Sequence, residues 1–246
     1  MKIFAKTDIG AYRESNQDMY NFGTFPTGDS WVVVCDGMGG VSGGQVASEL
    51  CVEKVSGAIK KGYREKMTVK AVKNLLQSAI TLANDVVYNK AQSEMEYHGM
   101  GTTIVAVVVV NGVAVIAHVG DSRAYHISNA TVKQITKDHS LIQLMLDSGK
   151  ITPEEALTHP DKNIITRAVG VVNFVDVEFD IVDINDNDKL LVCTDGLSGS
   201  VNEGEMLDII SNYIDSSAEK LVEKALDNGS RDNVTVVVMS AQTQGE

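Results

Sequence analysis

The chain has 246 residues, near the upper size of one domain, with 43% hydrophobic residues, 22% charged residues and a net charge of −12. That composition is enough for a globular protein to bury a large core. A surface this acidic argues against nucleic-acid or anionic-membrane binding, both of which need basic patches, and would repel a phosphorylated substrate unless cations sat in its site.

Residues Ile3 to Ile9 read as a first strand. A polar connection follows, Gly10 to Asp18, which carries Arg13. The next strand, Trp31 to Asp36, is an apolar run that ends on a carboxylate and then on glycines at 37, 39, 40, 43 and 44. Core strands rarely deliver a charge at their tip, because burying one unpaired is costly. A carboxylate beside bare backbone is a seat for a metal ion, although Asp-Gly is equally an ordinary turn signal. From Gly44 the apolar spacing becomes helical, through Val46, Ala47, Leu50, Cys51, Val55, Ala58 and Ile59, and Gly62 can close the helix. A second helix is predicted from about Thr68 to Ala91. Thr102 to Val110 and Val113 to Val119 are β-branched runs joined by Asn111-Gly112, a type I′ hairpin signal. The second run ends in Gly120-Asp121-Ser122-Arg123, and short strands follow at Tyr125–Ile127 and Val132–Ile135.

Asp138 to Gly170 differs in character. Leu141, Leu144 and Met145 predict a short helix, and Thr152-Pro153-Glu154-Glu155 is a capping box that opens another. Two short helices among strands predict a flap. Strands resume at Val177–Val182 and Lys189–Cys193, helices at about Glu203–Tyr213 and Ser217–Asn228, and a last strand at Val234–Met239. The final residues, 242–246, read as a frayed tail. The cysteines at 35, 51 and 193 are odd in number and lie in apolar or helical contexts, as expected of reduced thiols in the cytoplasm. The N-terminus has no signal-peptide core, and no apolar run is long enough to span a bilayer.

V-V-V-C-D-G-M-G-G and L-L-V-C-T-D-G-L-S-G echo each other: each is an apolar strand ending in Asp-Gly. A third strand ends at Asp121, and two more are entered through Asp18 and Asp232. If these ends share one rim, the carboxylates crowd together, and like charges so close require neutralising cations. Hard oxygen ligands select Mg²⁺ or Mn²⁺. Other chemistries lack their signatures. No cysteine is followed six residues later by arginine, no Walker A or G-x-G-x-x-G pattern is complete, and Gly196 to Ser200 lacks the last glycine of a nucleophile elbow. Asp183-x-Asn185-x-Asn187 lacks the glycine and glutamate of a calcium loop and reads as a turn. The five histidines show no zinc spacing, and His118 reads as a hydrogen-bonded core residue.

R-E-S-N-Q-D, C-D-G-M-G-G, G-M-G-T-T, V-G-D-S-R, K-D-H-S, I-T-R-A-V-G, C-T-D-G-L and S-R-D-N-V-T follow one another along the chain. In this order they resemble the bacterial metal-dependent protein phosphatases of the type 2C, or PPM, family. The resemblance covers nearly the whole chain. It implies an α+β fold, a four-layer αββα sandwich with two central antiparallel sheets flanked by helices and a small helical flap. Residues 1–241 would form one phosphatase domain, with the flap at about 138–170. It implies a serine/threonine protein phosphatase that hydrolyses phosphoserine and phosphothreonine by direct attack of a hydroxide bridging two Mn²⁺ or Mg²⁺ ions. Asp36 matches the bridging carboxylate, Gly37 a backbone-carbonyl ligand, and Asp195 and Asp232 the other ligands of the second metal. Asp18 matches a residue that orients water. Asp121, with Asp195, matches the holder of a third, weaker ion. Arg13 matches the phosphate clamp. Met38 stands where animal relatives have a proton-donating histidine, so leaving-group protonation would fall to a water near Asp121.

The expected partners are phosphorylated proteins, including a Ser/Thr kinase, with no nucleic acid and no membrane span, for a cytoplasmic monomer. The alternatives are a phosphatase dedicated to one phosphoserine regulator in a sigma-factor pathway, a non-catalytic phosphoprotein-binding module on the same fold, and a metal-dependent nuclease. The complete aspartate set argues against the binding module. The acidic charge argues against the nuclease.

Overall fold

The computed structural model describes residues 1–40 and 42–241, so the expected tail at 242–246 lies outside the described residues. The strand Ser30–Met38 (β3) explains the unbroken apolar run, because both of its faces are covered. Val32 and Val34 pack toward a second sheet. Trp31, Val33 and Cys35 pack under two helices, Gly43–Gly62 (α1) and Val69–Ser93 (α2). Each fully buried valine contributes roughly 1.5 kcal/mol or more relative to its exposure.

Beside β3 run Asp18–Thr24 (β2), Ile104–Val110 (β5), Val113–Val119 (β6) and Glu178–Asp183 (β9), in the order β2-β3-β5-β6-β9, with the two-residue Gly101–Thr102 (β4) also on β3. The other sheet runs Lys2–Asp8 (β1), Val234–Ser240 (β11), Lys189–Cys193 (β10), Arg123–Ser128 (β7) and Thr131–Gln134 (β8), in the order β1-β11-β10-β7-β8. All pairings are antiparallel. Asn111 (φ 50°) and Gly112 (φ 75°) make the predicted type I′ turn between β5 and β6. Glu203–Asn212 (α6) and Ser217–Asp227 (α7) cover the outer face of the second sheet through Met206, Ile210, Leu221 and Ala225. The layers are therefore helices, sheet, sheet, helices, as the αββα expectation has it. Among the described residues no helix is long and apolar enough to cross a membrane.

The two flap helices are Leu141–Asp147 (α3), capped by Ser140, and Pro153–Leu157 (α4), opened by the Thr152–Glu155 capping box. Neither has a buried residue. The flap is tied at its base by a bidentate Arg123–Asp138 pair, with Nε–Oδ1 2.9 Å and Nη2–Oδ2 2.7 Å, and by a bridge between Ser140 and Ile165. Three short elements carry no sequence signal: the 3-10 helices Met95–Tyr97 and Ile214–Ser216, and a turn of helix beside the rim. The stretch after β10 is a one-turn helix, Asp195–Ser198 (α5), entered at Thr194.

Candidate active site

The five aspartates do meet at one rim, and the sheet register is the reason. Asp18 opens β2 and lies opposite Asp36 near the end of β3. Asp121 follows the last residue of β6 by two positions, Asp195 is the first residue of α5 just past β10, and Asp232 immediately precedes the Asn233 that leads into β11. Antiparallel pairing sends outgoing strands and incoming strands to the same end, so both sheets contribute. A cleft of about 450 Å³ at this end is lined by Arg13, Asp36, Gly37, Asp121, Asp195 and Asp232. Asp18 is buried beside it and is not part of its lining.

Threonines fix the carboxylate-bearing backbone. Asp36 N–H donates to Thr103 Oγ1 at 2.9 Å, and Asp36 C=O accepts from Thr103 N–H and Thr102 Oγ1, each at 2.8 Å. Thr194 Oγ1 donates to Asp18 Oδ2 at 2.8 Å. Asn233 ties the loop of Arg13 to β11. Its Nδ2 donates to the carbonyls of Ile9 (2.9 Å) and Ser15 (3.0 Å), and its Oδ1 accepts from Gln17 N–H (2.8 Å). The sequence reading gave Thr102, Thr103, Thr194 and Asn233 no role, although they stand inside the motifs G-M-G-T-T, C-T-D-G-L and S-R-D-N-V-T. Asn163 and Ile165 also line the cleft, reaching it from the flap. Ile165 opens the motif I-T-R-A-V-G, whereas Asn163 lies outside every motif.

The electrostatics are those of anions held in a dry place. Burial, then the charges of Asp18, Asp195, Asp121 and Asp232, push Asp36 well above the usual carboxylate range. Burial likewise pushes Asp18 up to about 7, with Thr235 and Thr194 opposing, and Asp121 up to about 7, with Asp195 the next contributor. Asp195 is raised by burial and then by Asp232. Two carboxylate oxygens, Asp18 Oδ1 and Asp195 Oδ1, are buried with no hydrogen-bond partner. Buried polar atoms without partners cost about 1–3 kcal/mol each, more when charged. A ring of hard oxygen donors that repel one another, two of them unsatisfied, fits divalent cations such as Mg²⁺ or Mn²⁺. Arg13 is the cation at the mouth. Its Nη2 lies 2.6 Å from Asp232 Oδ2, and the side chain is 53% exposed. A pair this exposed stabilises the fold by about 0–1 kcal/mol.

Two glycines let backbone segments touch. A Cβ on Gly37 would sit 2.0 Å from the Gly44 carbonyl oxygen and 2.7 Å from that of Gln17. A Cβ on Gly196 would sit 2.0 Å from the Asn233 carbonyl oxygen. Gly196 thereby sets Asp195 against the loop of Asp232. Gly196→Ala is expected to lower the melting temperature by several degrees, because the new Cβ meets backbone that has no room to give, as thermal melting would show.

The histidines show no motif along the chain, yet two of them meet in space. Among the described residues, His118, His139 and Glu178 bring ligand atoms within 4.8 Å of one another. The hydrogen bonds assign their protons. His118 Nε2 donates to the Lys137 carbonyl at 2.9 Å. His139 Nδ1 accepts from Gly120 N–H at 3.1 Å, so its proton sits on Nε2, 3.3 Å from Glu178 Oε1. Arg167 Nη1 lies 2.9 Å from the same oxygen. A cation would have to displace both that proton and the guanidinium, so this group is a hydrogen-bonded network. His118 is the core histidine expected of its strand. The Asp183–Asn187 stretch ends β9 and turns into β10 through Asp188, whose Oδ2 accepts from Asn185 N–H at 3.0 Å.

The protein phosphatase 2C family model matches residues 12–228, and the chain belongs to that family. It is 40% identical over 238 residues to the serine/threonine phosphatase Stp of Listeria welshimeri, covering 95% of this chain and 93% of that one. The structure superposes on the crystal structure of the serine/threonine phosphatase Stp1 from Staphylococcus aureus with a TM-score of 0.91 at 36% identity, covering 99% and 95% of the two chains. It superposes on the catalytic domain of the serine/threonine protein phosphatase PstP in complex with two manganese ions with a TM-score of 0.85 at 30% identity, covering 98% of each. The chain is an enzyme, a protein phosphatase of the kind found in bacteria.

Proposed function

We propose that the aspartate rim is the catalytic centre of a metal-dependent serine/threonine protein phosphatase that opposes a bacterial Ser/Thr kinase. The observation that carries this is the set of mutually repelling carboxylates at one rim, four lining the cleft beside an exposed arginine and Asp18 buried behind them, with Asp18 Oδ1 and Asp195 Oδ1 unpartnered. Asp36, the Gly37 carbonyl, Asp195 and Asp232 would hold two ions, and Asp121 with Asp195 a third. Bound there, such ions supply positive charge against the phosphoryl oxygens and make water nucleophilic at neutral pH.

The protein's own groups do the rest. Arg13 leaves Asp232 to clamp the phosphoryl group, a task suited to a planar donor of paired hydrogen bonds. Asp18, its Oδ2 held by Thr194, keeps Oδ1 free to orient water in the centre. Met38 lines the cleft and cannot donate a proton, and the described lining holds no histidine or lysine. We assign the proton taken by the leaving serine or threonine oxygen to a water near Asp121. The lining also holds no cysteine, in keeping with direct hydrolysis without a covalent enzyme intermediate. We read residues 1–241 as one phosphatase domain whose flap, about 138–170, leans over the cleft through Asn163 and Ile165. Its setting would be the cytoplasm, as a monomer acting on phosphoproteins.

The test is phosphate release from a phosphothreonine peptide with Mn²⁺, with Mg²⁺ and with EDTA, using the wild type beside Asp195→Ala. Metal-dependent release lost in the variant supports the reading. Release that survives EDTA, or none from a folded protein that binds Mn²⁺, overturns it. In the same assay Arg13→Ala is expected to raise KM about tenfold with a smaller change in kcat and an unmoved melting temperature. An unchanged KM would remove Arg13 from the clamp role.

A further inference from the structure

Beside the catalytic cleft lies a second cavity of about 440 Å³. Met38 and Ile165 line both, so the two adjoin. Its outer wall is the irregular segment that follows the flap, where Val171, Val172 and Phe174 are 43%, 46% and 70% exposed. Three large apolar side chains within four residues are unusual on a surface carrying a net charge of −12.

This segment is built to stay where it is. Val169 exchanges two backbone hydrogen bonds with Thr102, at 3.0 and 2.8 Å. The fully buried Asn84 of α2 spends both ends of its amide on it: Oδ1 accepts from Gly170 N–H at 2.8 Å, and Nδ2 donates to the Val172 carbonyl at 3.1 Å. Gly170 takes φ 88°, and a Cβ there would sit 2.2 Å from Val87 Cγ1. An apolar surface fixed in advance binds without the cost of ordering it.

We infer that this groove takes an apolar side chain of the substrate protein, from the residue next to the phosphorylated one, and so sets sequence preference. The inference rests on the neighbouring cleft being the phosphatase centre. The occupant follows from the adjacency of the two cavities, since a residue flanking a phosphoryl group held at the rim would come within reach of the wall at Met38 and Ile165. The volume suits one or two side chains and is too small to seat a helix or a second copy of the chain.

The experiment compares kcat/KM, with Mn²⁺, for phosphothreonine peptides carrying leucine or serine immediately before or immediately after the phosphothreonine. p-Nitrophenyl phosphate, which has no flanking chain, is the control. On one side leucine is expected to be favoured about tenfold, the usual worth of an apolar pocket contact. The double variant Val172→Ser/Phe174→Ala is expected to erase that preference while keeping p-nitrophenyl phosphate hydrolysis and the melting temperature. No leucine preference on either side, a preference that survives the variant, or an equal loss on p-nitrophenyl phosphate would each overturn the inference. A wild type that hydrolyses neither the peptides nor p-nitrophenyl phosphate would bring down the phosphatase reading beneath it.

Discussion

Asp36→Ala is expected to lower kcat/KM for a phosphothreonine peptide at least about a thousandfold, equivalent to about 4 kcal/mol of transition-state stabilisation. The loss is large because Asp36 stands among Asp18, Asp121, Asp195 and Asp232, each of which raises its proton affinity. On the proposed reading, Asp36 would help to hold the ions that supply the positive charge for the reaction. The same variant is expected to fold. The hydrogen bonds that position residue 36 come from its backbone, to Thr103 and Thr102, and alanine keeps them. The side chain being removed is a half-buried carboxylate crowded by other carboxylates, so the metal-free melting temperature should stay the same or rise. Circular dichroism and thermal melting in EDTA check the fold, and phosphate release with Mn²⁺ checks the chemistry. A variant with wild-type turnover would remove Asp36 from the centre.

The second large effect is on stability. In EDTA the melting temperature is expected to fall as pH rises from about 4 to about 8. Asp18 and Asp121 are both raised to about 7 in the folded chain, chiefly by burial. An unfolded aspartate titrates near 3.9. Between these values the folded chain binds more protons than the unfolded one, so stability falls with rising pH. The stabilisation is complete below the unfolded value and gone once pH has passed through the folded one. Asp121→Asn should flatten the fall, because an amide does not titrate, and the wild-type-minus-variant difference cancels the carboxylates elsewhere. Saturating Mn²⁺ at pH 7.5 should raise the wild-type melting temperature by at least about 5 °C, since a ligand of the folded form stabilises it by mass action. A wild-type-minus-variant difference that is level or rises with pH would contradict the electrostatic account of the rim.

The strands, the hairpin and both long helices were legible in the sequence because each is a periodic apolar pattern with clear punctuation, as in Asn111-Gly112 and Thr152-Pro153. The aspartates were legible for a different reason. A carboxylate at the tip of a core strand breaks the apolar rule, and here the breach recurs at Asp36, Asp121 and Asp195. What stayed hidden depends on contacts between distant segments. Thr103, between β4 and β5, matters because it meets the backbone of Asp36, and Asn233 because it bridges Ile9, Ser15 and Gln17. The helix at Asp195 has only one turn, too short to show a period. His118 and His139 meet because the end of β6 curls against the base of the flap, where Gly120 N–H reaches the His139 ring. The exposed Val171–Val172–Phe174 wall is held by Asn84, more than eighty residues away.

In the fold β1 lies beside β11, with Lys2 opposite Ser240 and Asp8 opposite Val234. The position of β11 between β1 and β10 is what places Asp232, just before it, at the rim. A nascent chain still emerging from the ribosome holds Asp18, Asp36, Asp121 and then Asp195 long before it holds Asp232. On the proposed role of Asp232, a chain cut short before β11 is expected to carry the other four aspartates and still release no phosphate, so an interrupted polypeptide would not compete with the finished enzyme for phosphorylated substrate.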